Sequence, residues 1–94
     1  MKRIETLASL VDKDAYVLDI GTDHAYLPIY LYKNNITKSI VASDISKNAL
    51  EYAKTNLVKY GLENKIKLIV SDGFKNINET FDIAIISGVG TQTI

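Results

Sequence analysis

Apolar residues Ile4, Leu7, Ala8 and Val11 recur at the three- and four-residue steps that line one face of a helix, until Asp12-Lys13-Asp14 breaks the pattern. A first helix is predicted there, ending at that break. Tyr16-Val17-Leu18-Asp19-Ile20 is short, nearly continuous in apolar character and stopped by Gly21, as suits a strand covered on both faces. In Thr22-Asp23-His24-Ala25-Tyr26-Leu27-Pro28, Asp23 can cap a helix and Pro28 is tolerable in its first turn, so a second helix is predicted to run through Ile29, Tyr30 and Leu31 toward Asn34-Asn35. Ser39-Ile40-Val41-Ala42-Ser43 repeats the buried-strand pattern, with Asp44 at its end. Ser46 then reads as the N-cap of a long helix from Lys47 to Tyr60, with Leu50, Ala53 and Leu57 on one face and Gly61 as its left-handed stop. Two more strands follow, Ile66 to Val70 and Phe81 to Ile86, separated by a segment (Phe74 to Thr80) with room for one or two helical turns.

Strands separated by helical segments imply parallel strands joined by right-handed crossovers, hence an α/β fold with an open, mainly parallel sheet of about four strands. Ligands in such sheets sit outside the carboxyl ends of the strands, where the strand order reverses. The unusual residues fall there: Gly21-Thr22-Asp23, Asp44, Asp72-Gly73 and Ser87-Gly88, each group after a strand.

Composition narrows the field. The 94 residues allow one domain, 1–94, and 47% hydrophobic against 23% charged residues is the balance of a packed globular fold. Lys+Arg and Asp+Glu each number 11, so no global electrostatic pull toward nucleic acid exists and any RNA contact is local. Without cysteine there are no disulfides, thiolate metal sites or cysteine nucleophiles, and no metal site is expected. No apolar stretch approaches the ~20 residues of a membrane span, and the N-terminus has no apolar signal core; a cytoplasmic location without membrane contact is expected.

Gly21 lets a ligand approach the backbone without meeting a Cβ, and free N–H groups at the next helix start can receive an anion. The dinucleotide pattern G-x-G-x-x-G is absent, because counting from Gly21 the third position is Asp23 and the sixth is Tyr26. A pyrophosphate would meet the Asp23 carboxylate. That carboxylate suits a ligand with a cationic or amino group, and S-adenosylmethionine carries both a sulfonium and an α-amino group. Asp44 stands 23 positions after Gly21, near the ~20-residue offset at which an acidic residue accepts from ribose hydroxyls. Ile45 can pack on an adenine face, Asp72 can accept from its exocyclic amine, and the backbone at Gly73 can approach the ring. Each carboxylate also has a plainer role as a helix cap or solvated loop charge. His24 is a candidate for orienting substrate as a neutral imidazole, against a purely structural role. Of the six tyrosines, only Tyr26 falls at the crevice, where it can stack on a base; Arg3 reads as a surface charge, on a helix able to fold over the cofactor mouth.

Arg3-Ile4-Glu5-Thr6-Leu7-Ala8-Ser9-Leu10-Val11, Leu18-Asp19-Ile20-Gly21-Thr22-Asp23-His24-Ala25-Tyr26-Leu27-Pro28 and Ala42-Ser43-Asp44-Ile45 resemble the bacterial tRNA adenine N1-methyltransferases acting at position 22, the TrmK family. The resemblance covers essentially the whole chain. It implies a Rossmann-like class I methyltransferase fold, strand order 3-2-1-4, S-adenosylmethionine as donor and tRNA as acceptor. It places Asp19, Gly21, Asp23, Asp44 and Asp72 in the cofactor shell, with His24 and the loop after strand four facing the adenine. Thr22, Ile45, Gly73, Ser87 and Gly88 are further cofactor-binding candidates at the same strand ends, and the catalytic candidates are His24 and Asp23, whose carboxylate can favour the charge a methylated base acquires. The family reads G-M-G-G after strand four where this chain has Gly88-Val89-Gly90-Thr91. The family also continues beyond the equivalent of Ile94 into further strands and a helical domain that contributes to tRNA binding, so the chain is expected to be an N-terminal part that associates through strand four or a neighbouring apolar face and does not methylate tRNA by itself. An NAD-dependent oxidoreductase and a nucleoside-binding module without catalysis are the alternatives; cofactor titration distinguishes them.

Overall fold

The computed structural model describes residues 2–87. Among them, β1 (Val17–Ile20), β2 (Ile40–Asp44), β3 (Lys67–Val70) and β4 (Ile83–Ile86) form one parallel sheet in the order β3-β2-β1-β4. The helices are α1 (Lys2–Ala8), α2 (Tyr26–Lys33) and α3 (Lys47–Lys59). The predicted α/β class, parallel sheet and strand order are those of the structure.

Register assigns the side chains to two faces, because parallel partners point the same way and neighbours along a strand point oppositely. Val17 pairs with Ile40 and Ile83, and Asp19 with Ala42 and Ile85. This face joins Ile4, Ala8, Leu27, Leu31, Leu50, Ala53 and Leu57 in the core, with Leu68 of β3 packed against it. The opposite face carries Leu18, Val41 and Ala84, then Ile20, Ser43 and Ile86. All three helices therefore contribute to the first face. The return from β3 to β4 contains only turns, closed by Lys75 N–H to Asp72 C=O (3.2 Å) and Ile77 N–H to Phe74 C=O (3.1 Å).

Helix α3 starts and stops as its sequence dictates. Ser46 is extended (φ −89°, ψ 116°) and its hydroxyl accepts from the Ala49 N–H at 3.1 Å. At the far end Gly61 adopts φ +71°, Leu62 N–H bonds Leu57 C=O (2.8 Å) and Gly61 N–H bonds Val58 C=O (3.0 Å), the paired bonds of a Schellman cap. Asn35, at φ +57°, does the same for α2, where Ile36 N–H reaches Leu31 C=O at 3.0 Å.

Several boundaries move by one or two residues, as where β4 starts at Ile83 rather than Phe81, and two helix ends differ more. Helix α1 ends at Ala8, three residues early: Leu10 and Val11 donate to Leu7 and Ala8, an i to i−3 tightening. Val11 still reaches the core, and the Ser9 hydroxyl takes the Thr6 carbonyl at 2.5 Å, a local bond that competes with helix continuation. Helix α2 is not capped by Asp23. Its N-cap is Ala25, left-handed at φ 62° with no side-chain cap, and Pro28 is the third helical residue, where its missing N–H has no helical partner to lose.

Candidate active site

The loop from β1 to α2 is folded by three left-handed residues, Gly21 (φ 70°), Asp23 (φ 55°) and Ala25 (φ 62°). Only the first is a glycine; the others cost of order 1 kcal/mol each and persist because the surroundings over-determine them. Thr22 N–H bonds Ser43 C=O at 2.9 Å, Asp23 N–H bonds Asp44 Oδ2 at 3.0 Å, and Ala25 N–H closes on Thr22 C=O at 3.0 Å. The amides of Thr22 and Asp23 are thus engaged within the protein, and only N–H groups nearer the start of α2 can meet an anion. Asp23 does not cap because it stands two residues before the N-cap position, and its exposed side chain lies against His24 Nδ1 instead.

That carboxylate is Asp44, at the end of β2 and only 9% exposed. Its Oδ1 accepts the Ser46 N–H at 2.9 Å while Oδ2 holds Asp23, so one side chain ties the two loops after β1 and β2. Each carboxylate oxygen has a further lone pair, which leaves Asp44 able to accept again. Beside it Ile45 is 67% exposed, an apolar side chain held in solvent at the crevice. After β3, Asp72 is exposed and 3.3 Å from Lys75 Nζ, and Gly73 adopts φ +59° with open space where a Cβ would stand. Asp44, Ile45, Asp72 and Gly73 therefore lie together at the ends of neighbouring strands.

Beneath the crevice, Asp19 is fully buried on the core face. Burial pushes its carboxyl up to about 6 from 3.8; the Ser87 and Thr22 hydroxyls and the Ser87 N–H pull it partly back, and the nearby Asp44 charge adds to the rise. Those groups lie beside Asp19 without the alignment of formed bonds: both carboxylate oxygens, Thr22 Oγ1 and Ser43 Oγ are buried without a hydrogen-bond partner among the described residues. Unsatisfied buried groups normally cost about 1–3 kcal/mol each, so their concentration at the ends of β1 and β2 marks a place built for something other than stability. Arg3 is exposed, as expected of a surface charge, and its guanidinium also donates to the Ser87 carbonyl at 2.6 Å, tying α1 to the loop after β4.

The loop from β1 to α2 also carries an aromatic cluster. His24 Nδ1 lies 3.1 Å from Asp23 Oδ2, and its ring stacks on Tyr26 (5.3 Å, 8° between planes) and on Tyr52 of α3 (5.3 Å, 28°). Asn56 Nδ2 donates to the His24 carbonyl at 2.8 Å. Tyr52 and Asn56 were not legible as site residues. They sit mid-helix, six and ten residues after the cap, and no local pattern separates them from a solvated face.

Of the expected residues, Asp19, Gly21, Thr22, Asp23, His24, Asp44, Ile45, Asp72, Gly73 and Ser87 all fall at the C-terminal ends of the strands. Gly88, with Val89-Gly90-Thr91, lies outside the described residues. Among the described residues no group of three His, Asp or Glu is placed to hold a metal ion, and no helix is long and apolar enough to cross a membrane.

Comparison with known proteins gives this geometry a family. The chain is 34% identical over 94 residues to the tRNA (adenine(22)-N(1))-methyltransferase of Bacillus subtilis, covering 99% of this chain and 40% of that protein. The structure of M. capricolum TrmK in complex with S-adenosyl-homocysteine superimposes with a TM-score of 0.78 at 41% identity, over 85% of this chain and 35% of that one. A Streptococcus pneumoniae protein solved with S-adenosyl-L-methionine matches with a TM-score of 0.86 at 35% identity, over 100% of this chain and 45% of its own. The chain spans about two fifths of the length of the curated relatives it matches. Residues 1–94 match the methyltransferase domain family throughout, and the chain belongs to that family.

Proposed function

We propose that this chain forms the S-adenosylmethionine-binding part of a cytoplasmic methyltransferase that acts on N1 of an adenine in tRNA. The observation that carries the reading is Asp44: a nearly buried carboxylate with spare acceptor capacity, beside an exposed isoleucine, bonded directly to the loop that presents Asp23 and His24. Relatives over this length include proteins solved with S-adenosyl-L-methionine and S-adenosyl-homocysteine, and one that methylates N1 of tRNA adenine 22.

When bound, the cofactor supplies an electrophilic methyl group on its sulfonium. Asp44 accepts from the ribose hydroxyls, Ile45 covers one adenine face, Asp72 accepts from the exocyclic amine, and the Gly73 backbone closes on the ring. Gly21, Thr22 and Ser87, with Gly88 beyond them in sequence, shape the amino-acid end over the buried Asp19. Adenine N1 attacks with its own lone pair, so no protein nucleophile is needed and positioning dominates. Tyr26 and His24 hold the base, and the Asp23 carboxylate favours the positive charge that the base acquires as the N–C bond forms and the S–C bond breaks. The exposed Ile86 and the stacked Phe74–Phe81 pair near β4 (ring centroids 5.9 Å apart) support self-association through that edge.

Calorimetric titration with S-adenosylhomocysteine tests the cofactor site. Asp44→Ala leaves the ribose hydroxyls without their acceptor, and affinity should fall roughly 10- to 100-fold. Unchanged affinity in a folded variant rejects the assignment, and binding of NAD in place of S-adenosylhomocysteine rejects the whole reading.

A further inference from the structure

On the helical side of the molecule, a cavity of about 490 Å³ opens between α1, α2 and α3. Its lining includes Tyr26, Tyr30 and Tyr60, Lys33 and Lys59, and Asn56, and no Asp or Glu is among its described lining residues. In a chain whose overall charge is zero, two lysines that line one cavity with no carboxylate among its described lining form a local positive site. The lysines are placed there by the fold. Each stands in the last turn of its helix, where the helix dipole favours a cation, and both lean on Tyr60: Lys33 Nζ lies 4.4 Å and Lys59 Nζ 5.8 Å from the ring centre. Tyr60 thus gathers two ammonium groups at a ring that belongs to the cavity lining.

The cavity begins where the reaction crevice ends. Tyr26 lines it and stacks on His24, while Asn56 lines it and bonds the His24 carbonyl. A polymer with one unit at His24 has a direct path along α2 to Lys33 and Lys59. Paired cations suit a phosphodiester, and tyrosine rings suit any base, because every base offers a π-face. A peptide would need a run of acidic residues to satisfy the same two charges and would leave the rings without a planar partner.

We propose that this groove is an RNA-anchoring site that holds the single-stranded segment next to the reacting adenine, its phosphate on Lys33 and Lys59 and a base against the tyrosine rings. The proposal rests on the methyltransferase reading for the identity of the polymer, and its test is separable from that reading.

The test is fluorescence anisotropy of the chain with a labelled single-stranded RNA of about ten nucleotides, at several salt concentrations. Replacing both lysines, Lys33→Gln with Lys59→Gln, should weaken binding about tenfold and flatten the salt dependence by roughly 0.7 per lysine. Lys33→Arg with Lys59→Arg should restore affinity to within about threefold, since the charges and phosphate donors return. Lys38→Gln, the same charge change against the ring of Tyr32 outside the groove, should alter affinity less than about twofold. Urea midpoints of the variants check that all are folded. No RNA affinity in the parent chain, an equal loss in Lys38→Gln, or displacement of the RNA by micromolar AMP each overturns the proposal, the last by showing a site for free nucleotides. Calorimetry with S-adenosylhomocysteine reads the other question: unchanged cofactor affinity in the glutamine pair is expected. Groove-dependent RNA binding without any cofactor binding rejects the methyltransferase reading alone.

Discussion

The two faces of the sheet are built from the same strands and differ in almost everything else. On one, Val17, Ile40, Ala42 and Ile85 are buried under three helices. On the other, Leu18 and Ser43 are buried, but Ile20, Val41, Ile69 and Ala84 are only partly covered and Ile86 is 55% exposed. The residue types on both faces are those of strands covered twice, as parallel sheets require. The lesson is that apolar patterning reports the layers a strand is suited to, whereas burial reports the layers the described residues supply. The helical face carries the stability of this chain, and the other face is a surface with the composition of a core.

That contrast is open to direct attack. The largest effect is expected on the helical face, where Leu31 is completely buried: Leu31→Ala should lower unfolding stability by about 2–5 kcal/mol in urea titration. A loss below about 1 kcal/mol would mean that the helices are loosely seated. Next comes Asp19, the charge on the same face. Its native carboxyl holds the proton more tightly than the unfolded one, so its contribution is fully present below pH about 3.8 and is lost as pH rises through about 6. Asp19→Asn should therefore stabilise the chain by about 1–3 kcal/mol near neutral pH and by little near pH 4. Urea midpoints of the two proteins that stay parallel across this range would show that Asp19 is not strained by burial. Ser46→Ala should cost about 1 kcal/mol by removing the α3 cap. The smallest stability effect belongs to the open face: Ile86→Lys should change stability by less than about 0.5 kcal/mol. It should also reduce self-association in analytical ultracentrifugation; a sedimentation profile equal to the parent's would move any association surface away from β4.

Much of this architecture was legible in the sequence because local signals agreed with tertiary demands. Ser46 and Gly61 bound α3 with side-chain and backbone chemistry that works over four residues, and the continuous apolar runs of β1 and β2 are a direct record of two-sided burial. The strand order came from resemblance rather than from the residues. What stayed hidden was non-local. Ala25 as a left-handed N-cap contradicts every local preference, and it is enforced by bonds from Ser43 and Asp44 to the preceding amides. Arg3 meets Ser87 across 84 residues, and Tyr52 meets His24 only because α3 packs beside the β1–α2 loop. Asp44 and Asp23 were both expected at the site, but the bond between them follows from the parallel pairing of β1 with β2, which no spacing rule specifies.

The Asp44 bridge has a consequence in the kinetics of ligand capture. A loop that must order itself on each encounter slows productive association and draws on the interaction energy for every residue it fixes. Here one carboxylate clamps the Asp23 and Ser46 amides at 3.0 and 2.9 Å, so the two loops are already immobilised when the chain folds. On the proposed reading, a ligand whose hydroxyls reach Asp44 meets a rigid rim and takes up the lone pairs that the two amides leave free. On that reading, little of the ligand's interaction energy is drawn into ordering the loops after β1 and β2.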